Sequence, residues 1–377
     1  MSETQKKALL VATLQSHIGQ FHKPLMKLLK ENGWEIHVAA RNNLAEKDGL
    51  ELEYPDVVFD VPFSRSPLSR NNIAAYKQLR AILAANRYDV VHCNTPVGGA
   101  LARVAANKYR KTGTKVLYTA HGFHFYRGAS LFSWLIFYPV EKFLSRFTDK
   151  LITINQEDYE LARARFHCPV YRLHGVGANS DRYRPVDADE QNALKAELGL
   201  AGNVLLIVGE LRPNKNQKTA IAMMKEVLKK HPDTWLLIAG NGPDRDALEA
   251  QAQAEGVGDR VRFLGYTTHL DQYVRACDVE IACSYREGMP LNVIEALLCG
   301  KPVVASRNRG HCELIHDGVN GYLVDPDNTD AYTQRICGVQ ERAKDYSEEA
   351  IRSAEPYKDV NVMKELANIY PAEEQGR

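Results

Sequence analysis

No run of about 18 apolar residues occurs anywhere in the chain, which excludes a membrane-spanning helix from the reading. Residues 1–7 are polar and hold no apolar stretch of the kind a secretory leader carries, so the protein is expected in the cytoplasm. The seven cysteines (Cys93, Cys168, Cys277, Cys283, Cys299, Cys312 and Cys337) include no Cys-x2-Cys pair, and four lie in apolar runs. They read as reduced interior thiols, neither disulfide partners nor zinc ligands. No metal site is expected. The Asp-x-Asp triplets Asp187/Asp189, Asp244/Asp246 and Asp325/Asp327 fall at a linker, a helix start and a strand end, where aspartate serves as cap or turn former. Net charge is also nearly absent, +1 over 377 residues, but it is unevenly spread. Residues 1–180 carry 24 Lys and Arg against 15 Asp and Glu, and the remainder 24 against 32. A basic first half suits an anionic partner, whether lipid headgroups, a diphosphate-linked molecule or nucleic acid; it is equally what a solvated surface without a partner would show.

What is present is length enough for two domains of about 180 residues, and, at 45% hydrophobic residues, material for a core in each. Short apolar runs alternate with amphipathic stretches throughout. Ala8–Thr13, Ile36–Ala40, Val57–Phe63, Val90–Cys93, Val116–Thr119 and Leu151–Ile154 read as strands, with helices expected over 21–31, 71–86, 98–110, 132–147 and 156–166. The pattern restarts at Val204–Val208 and continues through Trp235–Ala239, Val261–Leu264, Val279–Cys283, Val303–Ser306 and Gly321–Val324. Such alternation predicts an α/β chain of two doubly wound domains with parallel sheets. The boundaries expected are 1–178 and 179–355, joined by the glycine-rich link Gly175–Pro185. Leu131–Val140 is apolar and aromatic but too short to span a bilayer, and is expected to be a buried helix.

The most informative stretch is Tyr285–Gly300. Pro290 suits the first position of a helix, where its missing N–H would have no partner, and Gly300 suits the stop. The free amides of such a helix start, at Gly288, Leu291 and Asn292, attract a phosphate or diphosphate. Glu295 lies about one and a half turns in and shares a face with Leu291 and Leu298, so its carboxylate needs partners; two ribose hydroxyls would serve. Glu287 precedes the helix and would meet whatever hangs from the other end of the diphosphate. Alone, the two glutamates are as compatible with a solvated loop residue and a salt-bridged helix residue. The loops at other strand ends decide, because ligands of open parallel sheets bind there. Gly19, in Gln15–Gln20, is expected ahead of the first helix, allowing backbone amides to approach a ligand. Asn94-Thr95-Pro96 is expected to cap a helix opening at Gly98-Gly99. Thr119–Gly128 gathers two histidines, three aromatic residues and an arginine. There His121 can present a ring nitrogen to a sugar hydroxyl or a developing charge, or be a histidine hydrogen-bonded beside the core. After the strand at 204–208, Gly209 opens a loop whose Arg212 and Lys215 supply cations for a diphosphate.

Together, Ser16–His22, Ala120–Phe123, Gly209-Glu210-Leu211 with Lys215-Asn216, and Glu287-Gly288-Met289-Pro290 followed by Glu295 in a Glu-x7-Glu spacing resemble the family 4 retaining glycosyltransferases of GT-B fold, especially bacterial capsule and exopolysaccharide enzymes. The resemblance covers most of the chain. It implies two Rossmann-like domains with an interdomain cleft, a closing segment 356–377 whose helix, around Asn361–Ile369, crosses back to the first domain, Glu287 and His121 at the donor sugar, Glu295 on the ribose and Lys215 on the diphosphate. It also implies donor contacts from Gly19, Gly209, Arg212, Gly288, Leu291 and Asn292, with His17, His124 and Arg127 on the acceptor side. The activity implied is transfer of a hexose or N-acetylhexosamine from a UDP-sugar, with retention, to an oligosaccharide or lipid-diphosphate-linked acceptor. No cofactor or metal is implied, nor nucleic acid; peripheral contact with an anionic membrane, on its inner face, fits the basic first half. One departure stands out: Glu210 occupies a place where many members carry arginine. A GT-B sugar-nucleotide epimerase and a non-catalytic partner that binds nucleotide-sugar are the competing readings, the second motivated by Glu210.

Overall fold

The computed structural model describes residues 5–47, 50–340 and 342–370. The chain divides into two compact units, Met1–Gly177 together with Val360–Arg377, and Ala178–Asp359.

In the first unit, seven strands pair in parallel in the order β3-β2-β1-β4-β5-β6-β7. They are β1 (Lys7–Leu14), β2 (Glu35–Arg41), β3 (Val57–Asp60), β4 (Val90–Asn94), β5 (Lys115–Ala120), β6 (Lys150–Thr153) and β7 (Val170–Arg172). Along β1 every residue after Lys7 is buried, and so is all of β4. Strands apolar on both faces must be covered on both faces, and only crossover helices between parallel strands do that. The chain winds outward from β1 to β3 and then returns to start β4 on the other side of β1, so the sheet's topological switch point lies between β1 and β4.

The first helix differs from expectation. Instead of one helix over 21–31, α1 (Gln15–Phe21) follows β1 directly, and α2 (Lys23–Glu31) restarts after a break at His22. Proline suits the first turn of a helix, and Pro24 sits there in α2. Gly19 therefore lies inside α1, not ahead of it, with Leu50 and Leu52 packed over the place a Cβ would take. Likewise α3 (Pro96–Ala106) begins at Pro96 and not at Gly98, with Thr95 as N-cap at φ +62. The expectation of a buried helix at Leu131–Val140 is overturned. In α4 (Leu131–Leu144) only Glu141 and Leu144 are buried, while Leu131 is 80% and Leu135 76% exposed, and Phe132, Ile136, Val140 and Phe143 are exposed beside them. Trp134, Phe137 and Tyr138 satisfy the core on the inner side, so the outer apolar face is surplus to folding. The basic end of α3 is internal: Arg103, 1% exposed, lies 3.8 Å from the Tyr118 ring centre and pairs with Glu141 at 2.9 Å. The closing helix Asp359–Ile369 places Val362, Leu366 and Ile369, followed by Tyr370, in one cluster with Leu25, Met26, Leu29 and Trp34.

The second unit carries six parallel strands in the order β10-β9-β8-β11-β12-β13. These are β8 (Val204–Val208), β9 (Trp235–Ala239), β10 (Val261–Gly265), β11 (Val279–Ala282), β12 (Val303–Ser306) and β13 (Gly321–Val324). Here the winding reverses between β8 and β11. The segments leaving the carboxyl ends of those two strands are the Gly209 loop and the Ser284–Pro290 loop.

Candidate active site

The Gly209 loop owes its shape to close approaches. Gly209 has φ +155, and a Cβ there would come within 3.0 Å of the Lys215 side chain, so glycine lets the lysine stem lie flat across the turn. Lys215 ends a short 3₁₀ turn, Pro213–Lys215, and Asn216 follows in the left-handed region at φ +54. Asn216 is 1% exposed; its side-chain amide donates to the Pro326 carbonyl at 2.9 Å and the Cys283 carbonyl at 3.3 Å, which fixes this loop to the one after β11. Lys215 then reaches Glu287, Nζ to Oε1 at 2.7 Å.

Glu287 is held from three sides. Burial opposes its charge, but the Lys215 ammonium, a Ser284 hydrogen bond and nearby His311 outweigh burial and keep its carboxyl below the usual range. Behind it, the short helix Arg309–Leu314 opens on Asn308, whose side-chain oxygen accepts from the amides of Gly310 and His311, both at 3.1 Å. Gly310 is required there: a Cβ would sit 2.9 Å from the Glu287 Cβ and 3.0 Å from the Gly288 carbonyl oxygen. His311 is fully buried, and burial pushes its pKa down to about 4 although Glu287 and the Ser306 carbonyl pull the other way.

Helix α5 (Leu291–Leu298) starts one residue later than the sequence suggests: Pro290 is the N-cap, and no side chain caps the helix. Its first amides are thus left to backbone, solvent or ligand. Glu295 is buried within it, and desolvation drives its pKa up to about 8 against a Tyr183 hydrogen bond and the Arg182 charge; Asp271 adds to the rise. Asn292 turns its side-chain amide to the Glu280 carboxylate at 2.9 Å. Glu280 itself, on β11, is fully buried, and burial pushes its pKa well up. The sequence reading passes over Glu280 and Tyr183. An acidic residue inside the apolar run Val279–Cys283 is the available signal for Glu280; nothing local marks Tyr183. Arg212 does not join Lys215 at Glu287. It pairs with Glu210, Nε to Oε1 at 2.7 Å, and is half exposed.

In the first unit, His17 from α1 and His121 beyond β5 meet edge to face with ring centres 4.5 Å apart. His22 joins them, 5.4 Å from His17 and 5.2 Å from His121, and His92 of β4 lies 5.9 Å from His22. The two acceptor-side candidates further along have other neighbours. The His124 ring is 4.7 Å from that of Phe137, and the Arg127 amide donates to Glu157 at 2.6 Å.

A family model described as Glycosyl transferases group 1 matches residues 190–354, and one described as Glycosyltransferase Family 4 matches residues 24–175. A Bacillus subtilis (strain 168) protein, EpsD, named as a glycosyltransferase, is 40% identical over 374 residues, covering 97% of each chain. An Escherichia coli protein named as a UDP-Gal:alpha-D-GlcNAc-diphosphoundecaprenol alpha-1,3-galactosyltransferase is 27% identical, over 72% of this chain and 73% of that one. Among solved structures, Anabaena HepE in complex with UDP and glucose superposes with a TM-score of 0.78 at 22% identity, covering 97% of this chain and 99% of that one. The lipopolysaccharide glycosyltransferase WaaG gives 0.73 at 17% identity, covering 98% and 100%. The two doubly wound units, the Lys215–Glu287 pair at the second unit's switch point and these relatives together place the chain among the family 4 glycosyltransferases of GT-B fold.

Proposed function

We propose that the enzyme transfers a hexose or N-acetylhexosamine from a UDP-sugar, with retention, to an oligosaccharide or lipid-diphosphate-linked acceptor during cell-surface polysaccharide synthesis. The observation that carries this reading is the Lys215–Glu287 pair beside the uncapped start of α5. A cation and helix-start amides without a side-chain cap suit a diphosphate, and an ionised carboxylate next to them suits the hydroxyls of the attached sugar. UDP and glucose in the HepE complex, and the UDP-galactose and diphosphoundecaprenol in the name of the Escherichia coli relative, support the substrate classes.

In this reading the acceptor hydroxyl oxygen bonds to the anomeric carbon on the face from which the β-phosphate oxygen departs, and the acceptor proton passes to that oxygen. Lys215 and the amides of Gly288, Leu291 and Asn292 stabilise the diphosphate as its charge grows. Glu287 stays ionised and orients the sugar, Glu295 receives the ribose, and His121 and His17 are the first unit's candidates for sugar contact. Arg212 is neutralised by Glu210 and contributes only if the donor displaces that pair. No metal or cofactor enters this scheme.

A peripheral membrane position is part of the proposal. No helix among the described residues is long and apolar enough to cross a bilayer. The outer face of α4 nevertheless offers Leu131, Phe132, Leu135, Ile136, Val140 and Phe143 to solvent, an apolar face suited to a lipid surface, in the half of the chain whose excess of basic residues suits anionic headgroups. Two experiments test the reading. Nucleotide-sugars screened for protection against thermal unfolding should single out a UDP-sugar, and NMR of the product should show the donor's anomeric configuration; inversion would refute the mechanism. Liposome flotation should depend on anionic lipid and weaken in Leu135→Ser, and equal flotation with neutral vesicles would remove the membrane part.

A further inference from the structure

The first unit holds a side-chain cluster that sugar contact does not account for as a whole. His17, His22 and His121 come from three places in the chain: α1, the break before α2, and the segment after β5. Each offers a ring nitrogen, and these atoms all lie within 4.8 Å of one another. The Nε2 of every one of the three is buried and has no partner among the described residues. Buried polar atoms are nearly always hydrogen-bonded, so three orphans in one place ask for an explanation.

The neighbours sharpen the point. His92, at the edge of the cluster, has both nitrogens engaged, Nε2 with the Thr119 hydroxyl at 2.7 Å and Nδ1 with the Tyr370 hydroxyl. It forms a wall and not a further ligand. Phe21 closes another side, its ring centre 4.9 Å from His17 and 6.0 Å from His121. Among the described residues, no carboxylate belongs to the group.

We propose that His17, His22 and His121 form a three-histidine site for a borderline divalent transition metal, zinc foremost, with the remaining coordination position left to water or an oxygen ligand. An all-imidazole donor set suits zinc, cobalt, nickel or copper and disfavours magnesium and calcium, which want carboxylate and carbonyl oxygens. Tetrahedral coordination at about 2.0–2.1 Å places ligand nitrogens about 3.3 Å apart, so the rings need to close by about 1.5 Å at most, within reach of side-chain rotation. Burial already favours the ligand form. It lowers His121 to about 4, and burial with repulsion from His121 holds His17 and His22 well below their ordinary value, so no proton has to be displaced at neutral pH. If His121 and His17 contact sugar as proposed above, ion and sugar compete for the same nitrogens, and the site is regulatory, the bound ion holding the enzyme inactive.

The test reads the ion and not turnover. The full chain, stripped with chelator, is titrated with cobalt(II) while its visible spectrum is followed, and then back-titrated with zinc. One cobalt per chain with the intense bands of four- or five-coordinate cobalt, displaced by one equivalent of zinc, is expected. His22→Gln should abolish those bands while UDP binding and the circular dichroism spectrum stay as in the parent chain. If His22→Gln does not fold, His17→Gln, on a less buried ring, should abolish the bands in its place. Only the weak bands of six-coordinate cobalt in the parent chain, or unchanged bands in the folded variant, would overturn the site. A parent chain that binds cobalt this way but no UDP-sugar would leave the metal site standing and remove the donor assignment instead.

Discussion

Glu295 offers the sharpest physical test, because its carboxyl is buried in α5 with a pKa pushed up to about 8 from 4.5. The folded protein therefore binds a proton there more tightly than the unfolded chain does. Stability from this group is fully present below about pH 4.5 and is lost as pH rises through 8. Each pKa unit corresponds to about 1.4 kcal/mol, so the full swing is on the order of 5 kcal/mol, and between pH 6 and 8 the expected loss is about 2–3 kcal/mol. Glu295→Gln keeps the shape and the partners Tyr183 and Arg182 but removes the titration. Denaturant unfolding, followed through the second unit by Trp235 fluorescence in a background with Trp34 and Trp134 changed to phenylalanine, should show parent stability falling across that range more steeply than the variant's. At pH 9 the variant should be the more stable protein. Equal slopes would refute the reasoning, whatever the other titrating groups do, because they are common to both. A ribose that needs the ionised carboxylate adds a corollary: UDP binding at pH 7 should release close to one proton, read by calorimetry in buffers of different ionisation enthalpy.

Lys215→Met leaves the Glu287 carboxylate buried beside no cation, and should cost about 3 kcal/mol in unfolding free energy and abolish UDP-sugar protection. Glu287→Gln should instead fold near normally and lose turnover by about 100-fold or more, measured as initial rate at saturating donor. Arg103→Met strands Glu141 in the first unit and should cost about 3–5 kcal/mol, most of it recovered in the double variant with Glu141→Leu; a double variant as unstable as the single would show that packing, not charge, is at stake. Gly310→Ala should shift the Glu287 loop, since the added methyl meets Glu287 and Gly288 at about 3 Å, and should raise KM for the donor more than it lowers kcat.

Strands are the most legible part of the sequence, because an unbroken apolar run of four or five residues is what a strand buried on both faces requires and what a loop avoids. Runs such as Val204–Val208 and Trp235–Ala239 coincide with β8 and β9 residue for residue. Helix ends are less so. At α2 the signal is Pro24, but a periodic pattern running on from Phe21 masks a break whose cause is one missing N–H. The apolar stretch at α4 misleads for a different reason: composition reports that a face is hydrophobic, not whether the fold has anything to cover it with. In the site, Lys215 and Glu287 can be read as neighbours from topology alone, since both follow strands flanking one switch point. That Arg212 is taken by Glu210 depends on side-chain geometry within a loop, which periodicity does not carry. The histidine cluster escapes for a related reason: His121 lies far along the chain from His17 and His22 and is brought to them only by the β1-β4-β5 order.

The closing helix has a consequence for how the protein is made. Residues from Val362 to Tyr370 complete the core begun by β1, α2 and β2, and Tyr370 supplies the hydroxyl that His92 bonds. On the ribosome, the amino-terminal unit therefore emerges first but cannot be finished until those residues have been translated, whereas the unit inserted between its two parts has all of its strands beforehand. Vectorial synthesis thus reverses the order that the sequence suggests. A nascent chain stalled after Asp359, with a linker long enough to carry that residue clear of the exit tunnel, should show a protease-resistant second unit and a first unit still open to digestion.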